Sequence, residues 1–301
     1  MLNEQTSRRD FLRTSLLTTA GAALLSNDLF ANIKKGEKSH IGVQLWSVRE
    51  DVSKDPKAAL AKIAKMGYKN VEGFGYSNGK FFGLSAEEYL KTMKDNGLKM
   101  PSAHNMITSK DVVNGQLSDS YKRMLEDAAK VGQKYTIVPY MLDDDRNQGK
   151  LMADIFNKAA EYAKTLNLKF GYHNHDFEFK SPNGEMLYTT LLDNTEKHIV
   201  FEMDLYWAVV AGQKPADWFN KYKGRFTHVH VKDHDPVKNV SVEVGEGDIN
   251  FQEIFNKKEE FNTGVRATYY FNNWFHILSE LHYANRKDGT QSPATMWKIA
   301  F

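Results

Sequence analysis

Short apolar runs alternate with longer amphipathic stretches along the chain from residue 41 onward. Apolar runs rich in Val, Ile, Phe and Tyr predict buried strands, whereas apolar positions that recur every three or four residues predict helices. The predicted strands are 41–47, 69–75, 98–105, 134–140, the run that begins at 168, 199–205 and 225–231. The predicted helices lie between them, at 56–66, 85–97, 118–131, 149–166, 186–193 and 215–222.

Two local signals support the helix boundaries. Pro56 stands in the first turn of one predicted helix and Gly67 follows its end, which are the positions that these residue types prefer. Ser85 followed by Glu88 has the spacing of a capping box, in which two side chains satisfy N–H groups at the start of a helix. The chain is thereby divided into units of one strand and one helix.

Seven predicted strands alternate with six predicted helices, without a linker or a change in composition. Such a series predicts a parallel sheet with right-handed crossovers. A doubly wound sheet and a closed (β/α)8 barrel both fit this order, but no glycine-rich phosphate loop follows the first strand, and polar residues end nearly every strand. We therefore predict an α/β fold, a single (β/α)8 barrel over residues 32–301, in which the pattern does not define the eighth unit.

The carboxyl ends of parallel strands share one rim in a barrel. The polar and aromatic residues at these ends are expected to face a common pocket. They are Gln44, Trp46, Glu72, His104, Tyr140, His173, Asp204 and His230.

Composition narrows the chemistry that this pocket can support. The 40 Lys and Arg residues nearly balance the 38 Asp and Glu residues, so charge gives no reason to expect nucleic acid or an anionic membrane as the main partner. We expect a small molecule as the main partner. The composition is also compatible with a homo-oligomer. The chain has no cysteine, which excludes thiolate zinc sites and cysteine nucleophiles. Any metal must therefore bind His, Asp or Glu.

The first 31 residues resemble an export signal rather than a part of the barrel. Arg8 and Arg9 lie in a segment similar to the twin-arginine motif, a short apolar run follows at 16–25, and Ala31 offers a cleavage point. The alternative is an ordinary amphipathic N-terminal helix. With a signal of this type, we expect a periplasmic or otherwise extracytoplasmic protein. The apolar run is too short for stable membrane insertion after the signal is removed.

Three successive strands carry side chains that bind divalent ions. Because side chains alternate along a strand, one residue of each alternating pair can reach the pocket while the other fills the layer below. These pairs are His173 and His175, Glu202 and Asp204, and His228 and His230. We assign His173, Asp204 and His230 as candidate ligands of a Mn, Zn, Co, Fe or Mg ion. The register leaves open whether His173 or His175 points inward, and hydrogen-bonded rim residues are the alternative interpretation.

Three sequence segments carry a resemblance to a known family. GYHNHDFEF at 171–179, FEMDLYW at 201–207 and HVHVKD at 228–233, followed by VGEGDINF, resemble the sugar phosphate isomerase/epimerase family. These are the xylose-isomerase-like TIM barrels that include inosose dehydratases and ketose 3-epimerases. The resemblance covers roughly residues 41–255 and implies a metal near the ends of strands five, six and seven, with Asp204 and His230 as ligands. The fifth-strand ligand, usually Glu in the family, corresponds to His173, with His175 and Glu178 as nearby alternatives.

The C-terminal segment departs from this resemblance. Family members usually carry a final Glu on strand eight, but the corresponding region here, 264–273, contains none. Three interpretations compete: a divergent end of the barrel with other ligands, a substitution that weakens metal binding, or a shifted reading frame that replaced the native C-terminus. We favour the third because the similarity stops abruptly near residue 265. It would leave this polypeptide impaired.

The chemistry implied is proton transfer next to a carbonyl that a metal polarises. The candidate bases are His104, His175 and Glu178, and Lys232 is a candidate for binding a developing oxyanion. Each of these could instead be a plain hydrogen-bonding residue of the rim. Gln44 and Glu72 would bind substrate, and the aromatic residues that could stack on a sugar, or simply pack, are Trp46, Tyr140, Tyr206 and Trp207.

Three functions remain open from the sequence. The first is a divalent-metal-dependent isomerase or epimerase of a free sugar or sugar derivative. The second is a lyase or dehydratase that acts on keto-sugars or 3-keto-glycosides. The third is a non-catalytic barrel that binds sugar through a degraded metal site. An exported protein without a phosphate cradle is expected to act on a neutral or oxidised sugar, or a glycoside, rather than on a sugar phosphate.

Overall fold

The structure, a computed structural model, describes residues 41–181, 184–242, 244–256 and 276–280. Within these ranges, eight parallel strands form a closed barrel. They are β1 (Ile41–Gln44), β2 (Asn70–Gly73), β3 (Lys99–His104), β4 (Tyr135–Val138), β5 (Lys169–His173), β6 (Val200–Asp204), β7 (Phe226–Val231) and β8 (His276–Glu280). Consecutive strands pair with each other, and β8 closes the ring by pairing with β7 and β1. The predicted (β/α)8 barrel is confirmed.

Helices connect the strands throughout the described ranges. They are α1 (Arg49–Lys54), α2 (Pro56–Lys65), α3 (Ala86–Asp95), α4 (Asp119–Lys130), α5 (Asp143–Arg146), α6 (Gly149–Thr165), α7 (Leu187–Asn194), α8 (Leu205–Val210), α9 (Pro215–Lys221) and α10 (Phe251–Asn256). Short 3-10 turns lie at Leu45–Val48, Ser109–Asp111 and Phe177–Phe179. Among the helices described, none combines the length and apolar character needed to cross a bilayer.

The longer helices begin and end close to the predicted boundaries. The capping box at Ser85 and Glu88 is present, with Ser85 N–H donating to Glu88 Oε2 over 2.9 Å and Glu88 N–H donating to Ser85 Oγ over 3.2 Å. The short helices α1, α5, α8 and α10 were not predicted. They follow β1, β4, β6 and β7, and a run of one or two turns gives too little periodicity to be recognised.

The barrel core is built from strands that are buried on both faces. Every residue of β2, β4 and β6 is buried, because one face of each strand lines the barrel interior and the other packs on helices. Gly171 in β5 shows how tight this packing is. A Cβ atom there would lie 2.6 Å from Ile137 Cδ1 and 2.7 Å from the carbonyl oxygen of Val200, so any larger residue would push β4 and β6 apart.

The eighth strand lies C-terminal to the segment 264–273, in which the family resemblance placed it. Residues 264–273 and the tail after 280, to which the three interpretations of the C-terminus refer, lie outside the described residues. The strand that closes the barrel is His276–Glu280, and Glu280 pairs in register with Gln44. The placement of strand eight at 264–273 is therefore wrong, and Glu280 is the last residue of the strand that closes the barrel.

A folded loop after β7 contributes one wall of the pocket. The antiparallel strands Asp233–Asp235 and Val240–Val242 form a hairpin there. The Asp233 carboxylate accepts the N–H groups of Gly245, Gly247 and Ile249 over 2.8, 3.1 and 3.0 Å. These bonds tie the glycine-rich segment after the hairpin to the end of β7.

Candidate metal centre

The carboxyl ends of the strands open into one cavity of about 760 Å³. Ten residues that the sequence analysis assigned to the site line it. They are Gln44, Trp46, His104, Tyr140, His173, His175, Tyr206, Trp207, His230 and Lys232. Asp204 is fully buried directly behind the imidazoles, and Glu72 and Glu178 lie outside the cavity lining.

Three potential metal ligands meet at the ends of β5, β6 and β7. Asp204 Oδ2 lies 3.3 Å from His173 Nε2 and 3.6 Å from His230 Nδ1. One donor atom from each of these residues lies within 4.8 Å of the others, and all three residues are buried. The strand order therefore brings together the three ligands predicted from the sequence.

The proton on His173 is placed by a backbone carbonyl. His173 Nδ1 lies 3.1 Å from the carbonyl oxygen of Pro139, which can only accept a hydrogen bond, so Nδ1 must carry the proton. Burial lowers the pKa of His173 to about 4, so the ring is neutral and its Nε2 presents a lone pair to Asp204. Two lone pairs then face each other over 3.3 Å, an arrangement that a cation between them would stabilise.

His230 is held by a carboxylate on its opposite side. Its Nε2 donates to Glu72 Oε2 over 2.8 Å, while its Nδ1 is buried without a hydrogen-bond partner among the described residues. Burial alone would lower the pKa of His230, but the surrounding carboxylates outweigh it and raise the pKa to about 10. A metal at Nδ1 would replace the second proton of the ring.

The arrangement fits a divalent ion. Each histidine of the triad gives its other N–H to an oxygen, which is how metal-binding histidines are normally oriented. Lys232 Nζ lies 2.9 Å from Asp204 Oδ2, and its positive charge outweighs burial and holds the pKa of Asp204 well below its usual range. Two imidazoles and one carboxylate favour Mn, Fe, Co or Zn over Mg, which prefers oxygen ligands.

A pair of carboxyl groups, from Glu72 and Glu202, lies beneath this triad. Glu72 and Glu202 are fully buried, and both approach His230 Nε2, at 2.8 and 3.3 Å. Two neighbouring buried carboxyls cannot both ionise easily. Burial and the charge of Glu72 raise the pKa of Glu202, while His104 and His230 overcome burial and lower that of Glu72. The pair therefore carries one proton, which resides on Glu202, and Glu72 is ionised.

Glu72 thus has a different position from the one predicted. It was expected to touch substrate, but Ser102 Oγ donates to its Oε1 over 2.6 Å and Gln44 Nε2 to its Oε2 over 2.9 Å. Glu202 was not assigned to the site, although its alternation with Asp204 places both side chains on the inward face of β6. That parity is the signal in the sequence that could have identified it.

Gln44 sets the orientation of His104. Gln44 Oε1 accepts the N–H of Trp46 over 2.8 Å, so its Nε2 is the atom that faces His104 Nδ1, at 3.3 Å. Nδ1 must accept, which leaves the proton on Nε2, 2.8 Å from Glu202 Oε2. Burial lowers the pKa of His104 to about 4. His104 is thus a neutral hydrogen-bond donor to the carboxyl pair rather than a base with its lone pair turned to the cavity.

Glu178 does not reach the cavity at all. Its Oε1 accepts the hydroxyl of Tyr172 over 2.6 Å, and its Oε2 accepts the N–H of His175 over 2.8 Å. Burial raises the pKa of Glu178 to about 7. The turn Phe177–Phe179 folds this carboxyl back beside β5, so its role is to hold the backbone of His175.

Asn174, which the sequence analysis did not assign, connects the ends of β5 and β6. Its Oδ1 accepts the N–H of Asp204 over 3.1 Å, and its Nδ2 donates to the Asp204 carbonyl over 3.3 Å. Tyr188 donates to the same Oδ1 over 3.4 Å. This fully buried amide fixes Asp204 relative to His173. Its neutral character and its position between two histidines gave no sign of this role.

Two of the predicted aromatic residues are supplied by a helix instead of a strand. Tyr206 and Trp207 lie in the first turn of α8, and Asp204 caps that helix by accepting the N–H of Trp207 over 3.1 Å. His175 packs between the rings of Tyr140 and Trp207, with centroids 5.1 and 5.4 Å away. Its Nδ1 is buried without a partner among the described residues. An imidazole in an aromatic setting is thus placed beside the triad.

Fold and site together define a (β/α)8 barrel with a candidate centre for a divalent metal at its carboxyl-terminal mouth. The family model for the xylose isomerase-like TIM barrel matches residues 60–284. The chain belongs to this family.

Known structures and curated proteins support the same placement. A sugar phosphate isomerase/epimerase from Parabacteroides distasonis ATCC 8503 superposes with a TM-score of 0.63 at 28% identity, over 83% of this chain and 92% of that chain. A D-psicose 3-epimerase structure, with a TM-score of 0.54 at 14% identity over 80% of this chain and 84% of that chain, shows likeness of fold alone.

An inosose dehydratase from Clostridium beijerinckii is 29% identical over 136 residues, which are 39% of this chain and 45% of that protein. The chain thus spans less than half the length of this curated relative.

Proposed function

We propose that this protein is a divalent-metal-dependent isomerase or epimerase that moves a proton next to a carbonyl group of a sugar or sugar derivative. The observation that carries this proposal is the convergence of His173 Nε2, Asp204 Oδ2 and His230 Nδ1 beside an open cavity. The structural likeness to a sugar phosphate isomerase/epimerase supports it.

The metal's contribution is that of a Lewis acid. A divalent ion held by His173, Asp204 and His230 would polarise a carbonyl oxygen and an adjacent hydroxyl. Lys232, which lines the cavity, would donate to the oxygen on which negative charge develops.

Proton transfer is assigned to His175. Its ring lines the cavity beside the triad. Burial lowers the pKa of His175 to about 2, so the imidazole is neutral and can take a proton from a substrate carbon and return it. His104 is less suited because its Nε2–H already faces Glu202. Glu178 is unsuited because it lies outside the cavity lining.

A second candidate function is a dehydratase or lyase. The same removal of a proton next to a carbonyl leads to elimination when a hydroxyl or alkoxide leaves from the neighbouring carbon. The likeness to inosose dehydratase over 136 residues favours this alternative.

Nuclear magnetic resonance in deuterated water distinguishes these reactions. The metal-loaded protein is incubated with a panel of keto-sugars and 3-keto-glycosides. Solvent deuterium on carbon in an otherwise unchanged skeleton supports the isomerase or epimerase, whereas an unsaturated product supports the lyase. If neither forms with any compound, the catalytic proposal fails. The matched control is Asp204→Asn, which should abolish either reaction.

Export by the twin-arginine route forms part of the proposal. Residues 1–40 lie outside the described residues, and the support is the paired Arg8 and Arg9 ahead of an apolar run. Fusing residues 1–31 to a reporter that is active only after export tests this prediction. Replacement of both arginines by lysine should retain the reporter in the cytoplasm, and unchanged export would contradict the proposal.

A further inference from the structure

Three apolar side chains form one side of the cavity, across the barrel from the metal triad. Trp46, Phe74 and Met106 follow β1, β2 and β3 in the chain, and all three line the cavity. These strands are neighbours in the barrel, whereas the triad comes from β5, β6 and β7. We call these three residues the apolar wall.

Two residues of the apolar wall are exposed, unlike most of the large apolar side chains in the described part of the chain. Trp46 is 50% exposed and Met106 is 41% exposed. A single exposed apolar residue needs no explanation. Neighbouring ones inside a cavity that also holds polar groups are typical of a ligand site.

Aromatic contacts hold the wall rigid. The ring of Trp46 meets that of Phe74 edge to face, with centroids 5.1 Å apart, and Phe74 meets Phe82 in the same way at 5.0 Å. Phe82 in turn packs on Tyr89, which is fully buried. The guanidinium of Arg49 lies 5.2 Å from the centroid of Trp46. An exposed ring that is already fixed loses little conformational entropy when a ligand packs on it.

The cavity is larger than a single sugar ring requires. A hexose has about 12 non-hydrogen atoms, so even at the roughly 30 Å³ that one water molecule occupies in the liquid it would fill less than half of the space. The cavity measures about 760 Å³. The apolar wall lines the same cavity, so a substrate larger than one sugar ring has room to contact it.

We infer that the substrate has two parts, a sugar ring that binds at the triad and an aromatic group, linked through a glycosidic bond, that packs on Trp46, Phe74 and Met106. The substrate class is therefore the keto form of an aryl glycoside, which carries the carbonyl that the proposed proton transfer requires, rather than a free sugar. This inference rests on the proposed function for the placement of the sugar ring. Stacking on an aromatic face and contact with the soft methionine sulfur suit a flat aryl group better than an alkyl chain.

Binding of matched glycosides tests the inference. Isothermal titration calorimetry on the full, manganese-loaded chain compares phenyl with methyl β-glycosides of glucose, galactose and xylose, each also in its 3-keto form. We expect phenyl compounds to bind about 10-fold more tightly than their methyl partners. Trp46→Ala and Met106→Ala should bring this ratio close to one, and Trp46→Phe should retain most of it. The control is Leu142→Ala, an exposed leucine outside the cavity lining, which should leave the ratio unchanged.

The outcomes separate this inference from the proposed function. A ratio near one in the wild type, a ratio that persists in both alanine variants, or no binding of any phenyl glycoside would each overturn the aryl subsite. Deuterium exchange into free sugars without a preference for phenyl compounds would support the proposed function and contradict the aryl subsite. A preference for phenyl compounds without any turnover would support the subsite and contradict the proposed function.

Discussion

The two halves of the cavity rim differ in burial, polarity and hydrogen bonding. In the half formed by β5, β6 and β7, the triad side chains are buried, and both histidines are oriented by oxygen partners. In the apolar wall, which follows β1, β2 and β3, Trp46 and Met106 are 50% and 41% exposed, and Trp46 meets Phe74 edge to face. The buried Gln44 and Glu72 of the same strands belong to the hydrogen-bonded layer beneath the triad.

This difference follows from what each half must do. A metal ligand has to be held in one orientation and one protonation state, which requires burial and hydrogen bonds. A surface that selects a substrate has to lose its water when the ligand binds, so it remains exposed in the free protein. Under the two proposals, the triad holds the metal and the apolar wall binds part of the substrate.

Replacing Asp204 by Asn should have the largest effect on the first half. The variant keeps an oxygen to accept the N–H of Trp207 but loses the only carboxylate of the triad. We expect metal affinity to fall by a factor of about 1,000, because an anionic ligand is replaced by a neutral one next to the Lys232 cation. Calorimetric titration with manganese or cobalt measures this loss. Asp176→Asn, which removes a more exposed carboxylate paired with Lys180, is the control, and equal affinities in the two variants would contradict the assignment.

The buried carboxyl of Glu178, which lies beside β5, should make the free energy of unfolding depend on pH. Its pKa is raised from 4.5 to about 7 in the folded protein, so the folded state holds an extra proton between these values. The stabilisation from this group is complete below pH 4.5 and is lost as the pH rises to 7, a change of about 3 kcal/mol.

Glu178→Gln should remove that change. The measurement is the free energy of unfolding by urea at pH 5 and at pH 8 for wild type and variant. Between these values, the wild type should lose about 3 kcal/mol more than the variant. Glu185→Gln, at a side chain that is 70% exposed, should behave like the wild type. Identical pH dependence in wild type and Glu178→Gln would show that the carboxyl is ionised at no cost.

Glu72→Gln tests whether the layer beneath the triad supports the metal. Gln can still accept the N–H of His230, but without the charge that makes the imidazole a better ligand. We expect metal affinity to fall by about 10- to 100-fold, again by calorimetric titration. Glu50→Gln, at an exposed position on α1, should have no effect. Unchanged affinity in Glu72→Gln would mean that Glu72 serves only the packing of the barrel floor.

The sequence by itself determined the order of elements and the types of donor at the rim. The strand and helix boundaries were predictable within a few residues because apolar periodicity, capping residues and proline act over one or two turns. The proximity of His173, Asp204 and His230 was predictable because strand alternation and strand order are enough to bring such positions to one rim. The eighth strand was misplaced because periodicity does not mark His276–Glu280. The expectation that the resemblance stops near residue 265 is wrong, since the family model matches the chain as far as residue 284.

Only the tertiary structure decided what each of these groups can do. His230 and Glu72 are 158 positions apart in the chain, and no local pattern indicates that one orients the other. The same holds for Gln44 with His104 and for Asn174 with the Asp204 backbone. Glu178 follows the candidate base His175 closely in the sequence, but the 3-10 turn Phe177–Phe179 directs its carboxyl away from the cavity. Protonation and orientation depend on buried contacts between distant strands, and those contacts exist only once the barrel has closed.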